Sequence, residues 1–129
     1  MTQFLATVVA FIVIDGVWLG LVARTFYRRH LGYLMAEKPN WAAAGTFYLL
    51  YAIGLTVFVV IPASDAGSVL EGLWRGALFG LVAYATYDLT NHATVRDWPA
   101  IVTGIDLAWG TALSASVAAI ATYVVTTFF

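Results

Sequence analysis

Three carboxylates stand inside otherwise apolar runs: Asp15, Asp88 and Asp106. A carboxyl in hydrocarbon is costly, so it marks a binding path, a proton relay or an interhelical hydrogen bond. Tyr84, Asp88 and Asn91 follow one another at helical spacing and share one face. Trp18 and Trp109 each come three residues after an acid, and Tyr48 and Tyr51 sit on a run that has none. Phenol, indole and amide groups can all hydrogen-bond a carboxyl, whatever its charge. No base stands at the same level, because Arg75 precedes Asp88 by thirteen residues, roughly 20 Å of helix. Carboxylates crowded in low dielectric repel one another, so a cluster of them is expected to hold protons or bind a cation.

These residues need elements to position them, and composition says which kind. The 129 residues are 62% hydrophobic and only 10% charged, against about 25% charged in soluble domains. At roughly 20 apolar residues per crossing, one domain of four transmembrane helices accounts for the chain. The expected spans are about residues 2–23, 41–61, 70–93 and 100–125. That predicts an all-α polytopic membrane protein, an antiparallel four-helix bundle. Between the first two spans, Tyr27, Leu31 and Leu34 suit a short helix lying in the interface. Gly72, Gly76 and Gly80 offer a face on which another helix can pack closely. The net charge of −1 and the lack of a long basic arm exclude a nucleic-acid partner, and the absence of Cys excludes thiolate chemistry. The first span lacks the basic start and cleavage site of a signal peptide and is read as retained.

Lys and Arg set the orientation. The first connection carries Arg24, Arg28, Arg29 and Lys38, the third carries Arg96, and the second carries none. Connections one and three are therefore expected in the cytoplasm, with both termini outside. Counting rise per residue from these ends puts each acid roughly 12–14 Å below the cytoplasmic interface, with Tyr48 and Tyr51 at a similar level. Ile14-Asp15-x-x-Trp18 also matches Ile105-Asp106-x-x-Trp109, a short internal similarity on helices that run in opposite directions.

With these residues in view, the chain resembles an uncharacterised family of small bacterial four-helix inner-membrane proteins. The resemblance rests on Asp15-x-x-Trp18-Leu-Gly, Phe26-Tyr27, Pro39-x-Trp41, Phe47-Tyr48-x-x-Tyr51, Gly76-Ala-x-x-Gly80, Tyr84-Ala-Thr-Tyr87-Asp88-Leu-Thr-Asn91, Trp98-Pro99 and Asp106-x-x-Trp109-Gly. It implies a four-helix fold in the bacterial inner membrane and brings no activity with it.

Three functions stay open. One is transport or small-ligand binding linked to a proton or cation, which in so small a bundle calls for a homo-oligomer. Another is an enzyme, or an accessory subunit, of membrane-lipid modification, using paired acids on a lipid-like ligand that arrives through the bilayer. The last is a structural or assembly protein whose acids only bond helices together. No set of metal ligands, nucleophile motif or cofactor fingerprint is present, so neither metal nor cofactor is expected. Whether the acids converge on a cavity or pack dry separates the readings.

Overall fold

A computed structural model describes residues 1–129. Helix occupies 88% of the chain and no strand forms, so the fold is all-α. Four rods make the bundle. The first is α1 (Thr2–Trp18), a π-helical stretch (Leu19–Ala23), α2 (Arg24–Leu31) and a closing 3₁₀ turn (Gly32–Leu34). The second is α3 (Trp41–Leu55), a π-helical stretch (Thr56–Val60) and α4 (Ile61–Asp65). The third is α5 (Val69–Thr94) and the fourth α6 (Ala100–Phe128). Rods one, two and four are long and apolar enough to cross a membrane. The third has the length, at 26 residues, but carries Glu71, Arg75, Asp88 and the glycine face.

The ends of the rods follow local chemistry. Asn40 accepts a hydrogen bond from Ala43 N–H at 3.1 Å and caps α3. Ser68 does the same for Glu71 N–H at 3.1 Å at the start of α5. Between α4 and α5 the chain turns through Gly67 at φ 64°. Gly67 N–H bonds Ser64 C=O and Ser68 N–H bonds Ala63 C=O, both at 3.0 Å. This paired closure needs a residue in the left-handed region, which glycine adopts without strain. Tyr33 hydroxyl donates to Asp97 C=O at 2.6 Å, so connections one and three lie together. Five of the six Lys and Arg residues cluster in or beside them; this is called the basic end below. The sixth, Arg75, pairs with Glu71 at 3.1 Å and lies over the Trp74 ring.

The first rod departs from expectation. No separate interfacial helix forms at Tyr27–Leu34, and the helix runs on unbroken from α1 into α2. Nothing at Leu19–Ala23 forces a break, since Pro is absent and the backbone keeps its internal hydrogen bonds. The π-helical stretch instead inserts extra residues per turn and rotates the face that α2 presents. The second π-helical stretch ends two residues before Pro62, whose missing N–H disturbs the hydrogen-bond ladder there.

An apolar core joins α1, α3 and α6 in the half away from the basic end, with Phe11, Leu55, Val59, Leu113 and Val117 buried. Large apolar side chains also cover the outside, among them Leu5, Val9, Ile12, Leu21, Phe58 and Leu70. So continuous an apolar exterior belongs to a protein surrounded by lipid.

Candidate functional site

The contact between α5 and α6 sets the register of the site. Gly72 packs on Ala118 and Thr122, Gly76 on Ser114 and Ala118, and Gly80 on Gly110 and Ser114. A Cβ added at Gly72 would come within 2.7 Å of Thr122 Oγ1, and one at Gly76 within 2.8 Å of Ala118 Cβ. Each step of four along α5 is matched by a step of about four back along α6. The next step lays the Tyr84 ring over Gly110, where no side chain could fit. One step further, this antiparallel register sets Asp88 opposite Asp106.

Asp88 and Asp106 line one cavity of about 490 Å³. Asp88 is wholly buried, no phenol, indole, amide or backbone group bonds its carboxyl oxygens, and the one group within hydrogen-bonding reach is the carboxyl of Asp106. Two carboxyls can bond each other only if one of them holds a proton, an arrangement characteristic of functional positions. The remaining walls are aromatic and aliphatic. Tyr27 and Leu31 come from α2, Met35 from the chain just beyond the 3₁₀ turn, Phe47 from α3, and Ala83, Tyr84 and Tyr87 from α5. Met35, Phe47 and Tyr87 are half exposed or more, at 50%, 51% and 58%, and form the mouth. That mouth exists because α5 meets the second rod mainly away from the basic end. There Phe79 packs on Tyr51 and Gly54, and contact continues through the π-helical stretch and α4. Towards the basic end, α3 and α5 part and the cavity opens sideways between them.

Asp106 has a partner that spacing did not suggest, for Tyr27 donates its hydroxyl hydrogen to Asp106 Oδ1. Tyr27 lies nine residues beyond Trp18, roughly 13 Å of helix. Helical side chains lean back towards the N-terminus, and the rotated face of α2 turns this phenol into the bundle. The Arg24–Arg29 cluster hides Tyr27 in the sequence, because three neighbouring arginines and His30 read as solvated surface. Ring spacing at Phe26-Tyr27 carries no depth signal.

Asp15 belongs to a different environment. Tyr48 hydroxyl donates to its Oδ2 at 3.0 Å and Trp109 Nε1 to its Oδ1 at 3.4 Å. Trp18 and Trp109 stack with centroids 4.3 Å apart and planes 10° from parallel. The internally similar segments thus meet each other, and their indoles form one stack beside Asp15. Asp15 is not on the cavity wall.

The other candidates separate from the acids. Tyr51 is buried and shares a hydrogen bond with Ser114, and its ring packs on Phe11 at 4.7 Å. Tyr84 lines the cavity without hydrogen-bonding an acid, and Asn91, on the same helical face, does not reach the cavity. Each acid was expected to bond a residue of the Tyr48, Tyr51, Tyr84, Asn91, Trp18 and Trp109 set. Only Asp15 does, because Asp106 turns to Tyr27 and Asp88 to Asp106 itself. His92 faces Thr103 at 3.2 Å, and Trp98 donates to the same hydroxyl at 3.1 Å. That group pins connection three and stays clear of the cavity. No three His, Cys, Asp or Glu side chains converge as a metal site.

The comparisons with known proteins agree with this apolar bundle. The family described as "Predicted membrane protein (DUF2177)" matches residues 1–123, nearly the whole chain. The chain belongs to that family. Its description gives membrane residence and no activity. No curated protein and no solved structure matches the chain.

Proposed function

We propose that this member of the family is a bacterial inner-membrane protein that binds a small ligand at Asp88 and Asp106 in exchange for a proton. The observation that carries the reading is the pair Asp88 and Asp106, two buried carboxyls set against each other on the wall of a cavity with no cation beside them. A carboxyl kept there purely for structure would be expected to bond a fixed donor such as a phenol or an indole, as Asp15 does. No Lys or Arg pairs with it, since the structure's one ion pair is Arg75–Glu71. The site can therefore change its charge only by taking or losing a proton or by receiving a charged ligand. The basic end is placed in the cytoplasm on its Lys and Arg content, with both termini outside. The mouth then faces the inner leaflet.

Beyond Tyr84 the bundle is closed by the α5–α6 contact and the apolar core. Passage across the whole membrane would require movement of α3 against α5, or a second copy of the chain completing the path. Binding with proton exchange is the part of transport that one copy is equipped to perform.

Dicyclohexylcarbodiimide tests this, because it reacts with carboxylic acids in apolar surroundings and leaves a stable N-acylurea. Purified protein in dodecylmaltoside should be modified at Asp88 or Asp106, located by mass spectrometry of its fragments. The Asp88→Asn protein should remain folded and lose modification at position 88. No labelling at all would return all three acids to a structural role, and labelling confined to Asp15 would overturn the assignment of the site to Asp88 and Asp106.

A further inference from the structure

We infer that the ligand of this cavity is an organic ammonium ion with an apolar substituent, taken up from the bilayer between α3 and α5. The inference rests on the proton-exchange reading and adds the chemical class of what is exchanged. Two carboxyls face each other there without a cation, so an anionic ligand would be repelled. A neutral chain would gain nothing from Asp88 and would bind better to an apolar residue. The remaining wall excludes a hard metal ion, which needs about six oxygen ligands, because most of it is carbon. Aromatic side chains make up that carbon: Tyr27, Phe47, Tyr84 and Tyr87. Aromatic faces around an acid are the setting that recognises alkylammonium groups, through cation–π attraction. The cavity's 490 Å³ falls within the range of about 300–1,000 Å³ that holds small organic ligands.

The mouth indicates the route. Met35, Phe47 and Tyr87 surround it, and the lining holds no charge besides the two acids. A ligand dissolved in lipid meets apolar side chains first and acid last. When a monovalent ammonium ion docks, one proton leaves Asp88, because Asp106 already accepts from Tyr27, and the cavity's net charge is unchanged. The titratable groups facing the pair are Tyr27 from α2 and Tyr84 and Tyr87 from α5, while α3 contributes Phe47. Proton and ammonium compete for the same carboxyls, so binding should tighten as pH rises, by up to about tenfold per unit for one proton released.

The test is calorimetry on the full chain in dodecylmaltoside with 4-phenylbutyltrimethylammonium. Its uncharged isostere, with carbon in place of nitrogen, and 4-phenylbutyrate serve as controls. Two buffers of different ionisation enthalpy count the protons released. The ammonium probe should bind with release of about one proton, and the isostere should bind at least about tenfold more weakly. Phe47→Ala should weaken the ammonium about tenfold and leave the isostere nearly unchanged. Asp88→Asn should remove the proton release. Equal binding of ammonium and isostere, or preference for phenylbutyrate, would overturn the inference. No ammonium binding by protein that carbodiimide still labels at Asp88 would overturn the ligand class and leave proton exchange standing. Ammonium binding to wild type and Asp88→Asn alike, without proton release, would remove both.

Discussion

Asp15 and Asp88 are both carboxyls buried in one bundle, yet their surroundings are opposite. Asp15 receives a phenol and an indole, one on each oxygen, beside a stacked pair of tryptophans. Asp88 receives no phenol, indole or amide and lines a cavity with only a second acid to bond it. The first arrangement is complete, and a ligand would have to break it. The second is incomplete, and a ligand would finish it. The type of residue is the same in both places, and counting rise along the helices gives the two a similar level. What differs is whether neighbouring helices close over the acid, and this is decided by where α3 stays against the bundle and where it leaves α5.

The largest expected effect comes where the two environments share a wall. A side chain at position 80 would land on the Gly110 carbonyl, and backbone cannot give way as a side chain can. Gly80→Leu should therefore destabilise the bundle by about 3 kcal/mol, read from unfolding by sodium dodecyl sulfate in mixed micelles. It should disturb both acids together, through Tyr84 and Asp106 on one side and Trp109 on the other. A variant that loses the cavity and keeps the Trp18–Trp109 stack would show the two regions to be less coupled than the packing implies.

Leucine in place of each acid then separates them. Asp15→Leu leaves the Tyr48 hydroxyl and Trp109 N–H without an acceptor, and should cost about 1–2 kcal/mol. Asp88→Leu removes a carboxyl bonded only to another carboxyl and adds apolar contact in its place, so stability should change by less than about 1 kcal/mol. The same unfolding titration reads both. If Asp88→Leu proves the more destabilising, Asp88 has a structural partner and the comparison fails.

These differences were only partly legible in the sequence. The bundle was, because apolar runs of membrane length and glycines at a spacing of four act locally and leave a direct trace. The opposition of Asp88 and Asp106 could be approached by counting rise from Arg96 and Trp98. Counting gives depth along each rod and says nothing of rotation about it. Asp15 was therefore grouped with the other two acids, whereas in the fold it faces Tyr48 and Trp109. Asn91 shares the helical face of Asp88 but lies a turn nearer the basic end and does not reach the cavity. Tyr27 was missed for a related reason. Its orientation depends on a π-helical stretch that five apolar residues, Leu19–Ala23, do not advertise. Ser114, the partner of Tyr51, is one small side chain in a long helix, and small residues there read as packing.

The smallest expected effect is also the sharpest test of the comparison. Asp15→Asn keeps the shape of the side chain and replaces one oxygen with an amide nitrogen. Trp109 Nε1 can only donate, so it needs the remaining oxygen. Tyr48 hydroxyl can accept as well as donate, so it can take a hydrogen from the new amide. Both contacts of Asp15 can then survive with roles exchanged, and stability should change by less than about 1 kcal/mol, the scale of one intramembrane hydrogen bond. The stacked indoles should keep their near-ultraviolet circular dichroism. Carbodiimide labelling at Asp88 and Asp106, and proton release on binding the ammonium probe, should be as in wild type. Asp88→Asn should leave stability similarly intact and abolish the proton release, because there the exchangeable proton is itself the function. If Asp15→Asn stays folded and also loses proton release, Asp15 is part of the same titrating site. The bonds to Tyr48 and Trp109 would then be a relay into the cavity, and the division between a structural and a functional acid would have to be given up.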